Sequence, residues 1–327
     1  MKKIIAILLV ILTFSLPMMV HAEDAQEDTR GGHVYEIAQR EIFSHEGTTL
    51  PYRYILPEDY NTETAYPLVV FLHAEPERGN DNISQLRHGV NQIVDRMPGV
   101  IILAPQCDID NQWVDTPVEN GSYSIAEVAE SNELRAVVAL ISKMKTDFKV
   151  DEERVYAIGA SMGGYGVWDL VMRHNELFAA GIVLSGAGDP TQAEALKNTP
   201  MYVFHGVKDE VITLDYAREM VQKIYDVGST KVRYFEIANA THEIYYELWW
   251  GYGVMDTLTQ HRNSDKNIIE EENITKPVEQ QEVSNEKQNV VDAGVVDTPS
   301  VWEIVIFVVI TIILLYILVI NVIRRKI

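Results

Sequence analysis

Short, wholly apolar runs alternate with segments of helical spacing through the middle of this chain, and that alternation restricts the fold more than any other feature. The apolar runs lie at residues 68–72, 100–103, 155–158, 181–184 and 201–204. A strand that is apolar along its whole length is typical of parallel sheets, where both faces are covered. Segments with helical spacing follow at residues 124–148, 163–173 and 214–227, with a last one ending near residue 260.

Three further strands are predicted around this core. Residues 34–43 and 49–56 alternate apolar and polar side chains, as half-buried strands do, and residues 232–237 form the last strand. Ser124 is a candidate N-cap for the helix at 124–148. The pattern predicts an α/β fold with a mostly parallel sheet and helices on both faces. Ligands bind such sheets at the carboxyl ends of the strands, so functional residues are expected in the loops that follow the apolar runs.

Composition excludes several classes of function. The 327 residues include 48 acidic and 27 basic side chains, for a net charge of −21, which disfavours nucleic acid as a partner. The one cysteine, Cys107, leaves no intramolecular disulfide, cysteine-based zinc site or iron–sulfur cluster. His242 and Glu243 begin an H-E-x-x-H pattern, but Tyr246 stands where the second histidine is needed. No phosphate-binding loop motif is present either, so neither metal nor cofactor is predicted.

The amino-terminal segment is typical of a secretory signal. Lys2 and Lys3 precede an apolar run at residues 4–20, and a small residue, Ala22, lies just before an acidic pair. We interpret residues 1–22 as a cleaved signal peptide. The alternative is an uncleaved anchor.

The carboxyl-terminal segment is predicted to cross a membrane. Residues 304–323 are almost wholly apolar, and 20 residues span the ~30 Å of a bilayer core. Basic residues follow directly, and positive charge beside a span stays on the cytoplasmic side. We therefore predict a transmembrane helix at 301–323 and a cytoplasmic basic tail at 324–327, with the rest of the chain outside the cell. The alternative is a buried core helix.

An acidic segment separates this predicted anchor from the folded domain. Residues 263–300 carry nine acidic and three basic side chains, with no aromatic residue and no sustained period. Such composition favours an extended, disordered linker. The domains predicted are thus a catalytic domain at 23–262 and a linker at 263–300. The localisation that follows is a single-pass protein of the cell membrane with an extracellular catalytic domain.

A nucleophile motif follows the third of the apolar runs. Gly159-Ala160-Ser161-Met162-Gly163 is a G-x-S-x-G sequence between a predicted strand and a predicted helix. Such a turn exposes the serine hydroxyl and directs the next backbone N–H, here that of Met162, at the same point. The helix N-terminus adds positive potential for a developing oxyanion. The alternative is an ordinary glycine-rich turn.

Two later strand-end loops supply an acid and a base. Asp209 follows the strand at 201–204, and His242 follows the strand at 232–237. A weak nucleophile needs a base that titrates near neutrality and a carboxylate that holds this base in one tautomer. Glu210 and Asp215 are the alternative acids. Two other strand-end residues, His73 and His205, are set aside because they precede the positions where a ligand would approach.

The order Ser161, Asp209, His242 is that of α/β-hydrolases, and the sequence resembles one branch of them. The resemblance is carried by Leu50-Pro51-Tyr52-Arg53, Glu77-Arg78-Gly79, Ala104-Pro105-Gln106, the Ser161 turn, Phe204-His205-Gly206 and Asp209. Residues 50–250 look like secreted esterases of the predicted-peptidase, polyhydroxybutyrate-depolymerase-like, feruloyl-esterase-like and dienelactone-hydrolase-like groups. The resemblance implies an α/β-hydrolase fold and a carboxylic-ester hydrolase with these three residues as its triad.

One loop departs from the family's pattern. The family usually has His-Gly-x-Gly-Glu-Arg-Gly, whereas this chain has His73-Ala74-Glu75-Pro76-Glu77-Arg78-Gly79. The second oxyanion donor is expected from a backbone N–H in this loop, that of Ala74 or Glu75. Proline has no N–H and restricts the residue before it to extended conformations. Glu75 would also bring a negative charge near the oxyanion.

Aromatic residues near these loops are candidates for the substrate pocket. We select Trp113, Tyr165 and Trp168, with packing in the core as the alternative. The sequence thus predicts a serine esterase that acts on a small-molecule or polymer-borne ester. Two alternatives stay open: a serine peptidase of the same fold, and a catalytically silent binding module. The oligomeric state is not predicted.

Overall fold

An eight-stranded, mostly parallel sheet forms the centre of the molecule. The computed structural model describes residues 32–117, 121–244 and 253–267. The strands are β1 Gln39–His45, β2 Thr48–Ile55, β3 Tyr66–Leu72, β4 Ile101–Pro105, β5 Val150–Ala160, β6 Ala180–Leu184, β7 Met201–Gly206 and β8 Val232–Ile237. Their order across the sheet is β1-β2-β4-β3-β5-β6-β7-β8. Only the β1–β2 and β2–β4 pairs are antiparallel, and the five pairs from β4 to β8 are parallel.

Helices cover both faces of this sheet. The α-helices are α1 Gly32–Ile37, α2 Val90–Arg96, α3 Asn132–Asp147, α4 Met162–Arg173, α5 Leu214–Asp226 and α6 Val254–Leu258. Short 3-10 helices lie at Glu75–Glu77, Ser84–Leu86, Asn175–Leu177, Pro190–Leu196 and Asn263–Asn267. The predicted α/β architecture is therefore confirmed.

The strand β3 shows why the apolar runs have no polar side. All seven of its residues are buried. Leu68, Val70 and Leu72 enter the apolar core that includes α3, α4 and α5, whereas Val69 and Phe71 enter the opposite core, with α2 and α6. Side chains alternate between the two faces of a strand, so a sheet covered on both faces needs apolar residues at every position.

Two of the predicted elements are wrong in part. Residues 34–43 were expected as one strand, but the first of them belong to α1 and the strand begins at Gln39. The helix expected at 124–148 begins at Asn132, because Ser131 and not Ser124 is its N-cap. The Ser131 hydroxyl accepts the Leu134 N–H at 3.1 Å. This side-chain cap satisfies one of the N–H groups that the first turn of a helix leaves without a backbone partner.

The folded unit continues past residue 262, where the predicted linker begins. The helix Asn263–Asn267 packs beside the amino-terminal end of β5, where the Ser264 N–H donates to the Glu153 carboxylate at 2.8 Å. Lys266 holds this helix in place. The Lys266 ammonium donates to the Asn175 and Phe178 carbonyl oxygens at 2.5 and 2.7 Å and to the Asn175 side-chain oxygen at 3.1 Å. Burial lowers the pKa of this lysine to about 8. The ordered domain thus reaches at least residue 267.

The predicted signal peptide, most of the linker, the transmembrane helix and the basic tail lie outside the described residues. Among the residues that are described, no helix is long and apolar enough to cross a membrane.

Candidate active site

Ser161 occupies a strained turn between β5 and α4. Its backbone has φ 52° and ψ −118°, a left-handed φ that non-glycine residues rarely adopt. The Ser161 N–H donates to the Leu184 carbonyl oxygen at 2.8 Å, which ties the turn to the end of β6. Met162 is the first residue of α4, so its N–H is one of the orphan donors of that helix end.

The glycines on either side of the turn are required by close backbone contacts. A Cβ atom on Gly159 would lie 2.3 Å from the Gly163 carbonyl oxygen. A Cβ atom on Gly163 would lie 2.0 Å from the Leu72 carbonyl oxygen and 2.8 Å from that of His73. The motif therefore packs directly on the end of β3, and the loop that follows β3 begins beside the serine.

The three residues predicted as a triad form one chain of hydrogen bonds. The Ser161 Oγ lies 2.8 Å from the His242 Nε2, and the His242 Nδ1 lies 2.9 Å from the Asp209 Oδ2. A carboxylate accepts only, so Nδ1 carries the imidazole proton and Nε2 is free to accept from the serine hydroxyl. The His242 side chain is 13% exposed and the Asp209 side chain is fully buried.

The carboxylate of Asp209 accepts four N–H groups. Its Oδ1 accepts the backbone N–H groups of Val211 and Ile212, both at 2.9 Å. Its Oδ2 lies 2.9 Å from the His242 Nδ1 and 3.1 Å from the His205 Nε2. Burial by itself would raise the pKa of Asp209, but these hydrogen bonds outweigh it and hold the pKa well below its usual range. The acid is therefore ionised near neutral pH.

A glycine brings the loops of the acid and the base together. Gly206 ends β7, and a Cβ atom there would lie 2.3 Å from the Thr241 carbonyl oxygen. Beside it, the Lys208 N–H donates to the Ala240 carbonyl oxygen at 2.9 Å. This contact holds the loop before His242 against the loop that carries the acid, although the two are separate in sequence.

The two alternative acids lie elsewhere. Glu210 is exposed, next to the buried Asp209. Asp215 lies in the first turn of α5, its side chain is 87% exposed, and its nearest basic partner is Arg218 at 3.6 Å. Asp209 is thus the one of the three whose carboxylate contacts the histidine.

The loop after β3 is held by the buried ring of His73. The His73 Nε2 accepts the Cys107 N–H at 3.0 Å, so the ring proton is on Nδ1, which donates to the Ala74 carbonyl oxygen at 2.7 Å. Burial lowers the pKa of His73 to about 4, and the ring is neutral near pH 7. His73, which was not selected from its position in the sequence, thus orients the peptide group between Ala74 and Glu75.

The negative charge of Glu75 is paired with Arg78, which directly follows the Glu75–Glu77 helix. The guanidinium of Arg78 lies 2.5 Å from the Glu75 carboxylate and also donates to the Asn111 carbonyl oxygen at 3.2 Å. The Glu75–Glu77 helix accommodates Pro76 in its first turn, where proline's missing N–H is tolerated. The altered loop is therefore an ordered turn in which Arg78 offsets the added acid.

The three aromatic side chains selected for the pocket are in the core. Trp113 and Trp168 are fully buried, and Tyr165 is 1% exposed. The Trp113 indole N–H donates to the His73 carbonyl oxygen at 3.0 Å, and the Tyr165 hydroxyl donates to the Gly121 carbonyl oxygen at 3.0 Å. Packing in the core accounts for all three, because none of them presents a surface that a ligand would touch.

Comparison with protein families identifies the family to which this chain belongs. A family model named Esterase, described as "Putative esterase", matches residues 47–294, about three quarters of the chain. The chain belongs to this esterase family. The match includes all three residues of the hydrogen-bonded chain, and it supports the resemblance to esterases.

Individual relatives of this esterase-family protein include esterases and a peptidase. A solved thermostable esterase is 32% identical, with a TM-score of 0.55 over 68% of this chain and 60% of the other. A ferulic acid esterase has the same fold at 18% identity, with a TM-score of 0.53 over 68% of this chain and 97% of that one. Dipeptidyl-peptidase 5 of Porphyromonas gingivalis is 25% identical over 132 residues, 40% of this chain and 18% of the peptidase. The chain thus spans less than two thirds of the thermostable esterase and a small part of the peptidase.

These comparisons establish the family and the fold. The protein belongs to the esterase family and has the α/β-hydrolase fold. Among the residues that the structure describes, no group of three or more His, Cys, Asp or Glu side chains is arranged to hold a metal ion.

Proposed function

We propose that this protein hydrolyses carboxylic esters through an acyl-enzyme on Ser161. The observation that carries the proposal is the unbroken hydrogen-bonded chain from the Ser161 Oγ through His242 to the buried Asp209 carboxylate. In the first step His242 Nε2 takes the hydroxyl proton as Oγ attacks the ester carbonyl, and it returns that proton to the leaving alkoxide. Water, deprotonated by the same imidazole, then releases the acid and restores the serine.

The oxyanion of both tetrahedral intermediates needs hydrogen-bond donors beside Oγ. The Met162 N–H at the start of α4 is one proposed donor, supported by the position of that residue directly after Ser161. A backbone N–H of Ala74 or Glu75 is the second, supported by the packing of Gly163 against the end of β3. The Arg78 guanidinium offsets the negative charge of the Glu75 carboxylate, which would otherwise disfavour the oxyanion.

Substrate comparison tests the ester assignment. The protein is assayed on p-nitrophenyl acetate and butyrate and on peptide p-nitroanilides, with a fluorophosphonate probe to count active serines. We expect probe labelling and ester turnover that exceeds anilide turnover at equal concentration. The peptidase hypothesis, favoured by the match to Dipeptidyl-peptidase 5, predicts the reverse order. No labelling and no turnover would indicate the silent binding module.

The environment of the acid predicts the pH dependence of that activity. The imidazole acts only when neutral, so kcat/KM falls as pH is lowered through a single ionisation. Because the pKa of Asp209 is held well below its usual range, the carboxylate stays charged and adds no second loss above about pH 4. We expect log kcat/KM to fall with a slope of one on the acid side. A slope of two there, or a flat profile from pH 5 to 9, would contradict the assignment.

The predicted ends of the chain support a proposal about location. A signal peptide at 1–22 and a span at 301–323 with a basic tail would place the catalytic domain outside the cell, joined to the membrane by the acidic linker. Protease added to intact cells should then release an active soluble fragment by cutting between residues 268 and 300. A domain that is protected until the cells are lysed would overturn this orientation.

A further inference from the structure

A second histidine lies against the acid of the proposed triad. His205 is on β7, four residues before Asp209, and its side chain is fully buried. Its Nε2 lies 2.7 Å from the Ile212 carbonyl oxygen and 3.1 Å from the Asp209 Oδ2. The ring thus contacts both ends of the turn in which the acid is held.

The position of the ring proton follows from these partners. A backbone carbonyl oxygen only accepts hydrogen bonds, so the His205 Nε2 carries a proton and shares it between Ile212 and Asp209. The other nitrogen, Nδ1, is buried and has no hydrogen-bond partner within the described part of the chain. A buried polar atom without a partner is destabilising. The hydrogen bonds of this ring are therefore all directed to the loop of the acid.

The Nε2–H of His205 adds a further hydrogen-bond donor to those that already hold the Asp209 carboxylate. Val211 and Ile212 hold Oδ1 through backbone N–H groups, which leave Oδ2 to face His242. A second donor on Oδ2 resists rotation of the carboxylate away from His242. It also draws charge from the oxygen that His242 contacts. The titratable groups nearby are Asp209, His242 and Glu236, and Arg218 holds the Glu236 carboxylate through two hydrogen bonds of 2.8 Å.

We propose that His205 is a positioning residue for the triad, whose Nε2–H holds the Asp209 carboxylate and the Ile212 carbonyl in the arrangement that presents Oδ2 to His242. The inference rests on the proposed function, because it assigns His205 a part in orienting the base. It distinguishes His205 from a residue that only fills the core, since a core-filling role requires its volume but not its N–H group.

Two substitutions separate the N–H from the volume. His205→Leu removes the donor, whereas His205→Gln places an amide N–H near the former Nε2. We expect His205→Leu to lower kcat about 10- to 100-fold, the effect of losing a hydrogen bond to a charged group, with KM unchanged. The midpoint of the kcat/KM rise should move to higher pH, because a carboxylate with one donor fewer holds the imidazole proton more strongly. His205→Gln should restore most of kcat and the parent midpoint.

A histidine outside the site provides the matched control. His174 pairs with Glu130 at 2.6 Å beyond the carboxyl-terminal end of α4, so His174→Leu removes a half-buried histidine–carboxylate contact at the opposite end of that helix from Ser161. We expect parent-like kcat and midpoint from this variant. Parent-like values from His205→Leu, or equal losses in the Leu and Gln variants with no shift in midpoint, would overturn the proposal.

The protonated nitrogen of His205 can also be measured directly on the unmutated protein. In the ¹⁵N-histidine spectrum of the full-length chain, assigned with His205→Gln, the His205 ring should carry its proton on Nε2 throughout pH 6–8. A neutral ring protonated on Nδ1 would overturn the proposal. Failure of the proposed function is distinguishable, since it would appear as absent probe labelling of Ser161 in the unmutated protein.

Discussion

Replacing Ser161 by alanine should lower ester kcat by about 10⁴-fold or more, because the substitution removes the nucleophile and leaves only binding and oxyanion stabilisation. Among the residues that the structure describes, the hydroxyl hydrogen-bonds to His242 alone, so its loss should leave the fold intact. The measurement is kcat on a p-nitrophenyl ester, together with the far-ultraviolet circular dichroism spectrum, the Tm and fluorophosphonate labelling. Labelling should disappear while the spectrum and the Tm stay close to those of the parent.

Ser185 offers a matched control for this experiment. It too is a buried serine with a positive φ, 48°, and it directly follows the neighbouring strand β6. Its hydroxyl has no hydrogen-bond partner among residues 32–117, 121–244 and 253–267. Ser185→Ala should therefore keep kcat within about twofold of the parent, as substitutions that break no contact do. If Ser161→Ala retains a tenth of the parent activity, Ser161 is not the nucleophile.

Asp209→Asn should lower kcat nearly as much as Ser161→Ala does, by about 10⁴-fold near neutral pH. A loss of this size is expected when the imidazole is held in the wrong tautomer. The Val211 and Ile212 N–H groups require an acceptor at the Oδ1 position, so the amide oxygen must lie there. The amide NH₂ then faces the His242 Nδ1, which has to become an acceptor. The imidazole proton moves to Nε2, where it blocks transfer from Ser161.

Glu210→Gln is the corresponding control, because it makes the same change of charge one residue away on an exposed side chain. We expect its kcat to stay within about twofold of the parent value. The pair of variants is compared by kcat at pH 7 and by the Tm. Activity of Asp209→Asn equal to that of the parent, or a large loss in Glu210→Gln, would show that the acid has been misassigned.

The strands and the nucleophile turn were predictable because their signals are local. The strand predicted at 232–237 coincides with β8, and the apolar runs lie within strands except for Val100, which directly precedes β4. Helix starts were less predictable, since Ser124 and Ser131 are both acceptable caps by residue type. Tertiary packing decides between them: the Ser131 hydroxyl also donates to the Trp113 carbonyl oxygen at 2.6 Å, a contact across 18 residues that no local pattern contains.

The sequence by itself determined the α/β class, the G-x-S-x-G turn and the order of serine, acid and base, because each depends on residue type and on spacing along one stretch of chain. Tertiary structure decided which carboxylate contacts His242, the burial of the three aromatic residues, the pairing of Glu75 with Arg78 and the contact of His205 with the acid. Each of these contacts joins segments that are far apart in the sequence. Whether the side chains meet depends on how those segments pack and on where the side chains point. His242 lies 33 residues from Asp209 and 81 from Ser161, and only the register of β5, β7 and β8 brings the three within hydrogen-bond distance.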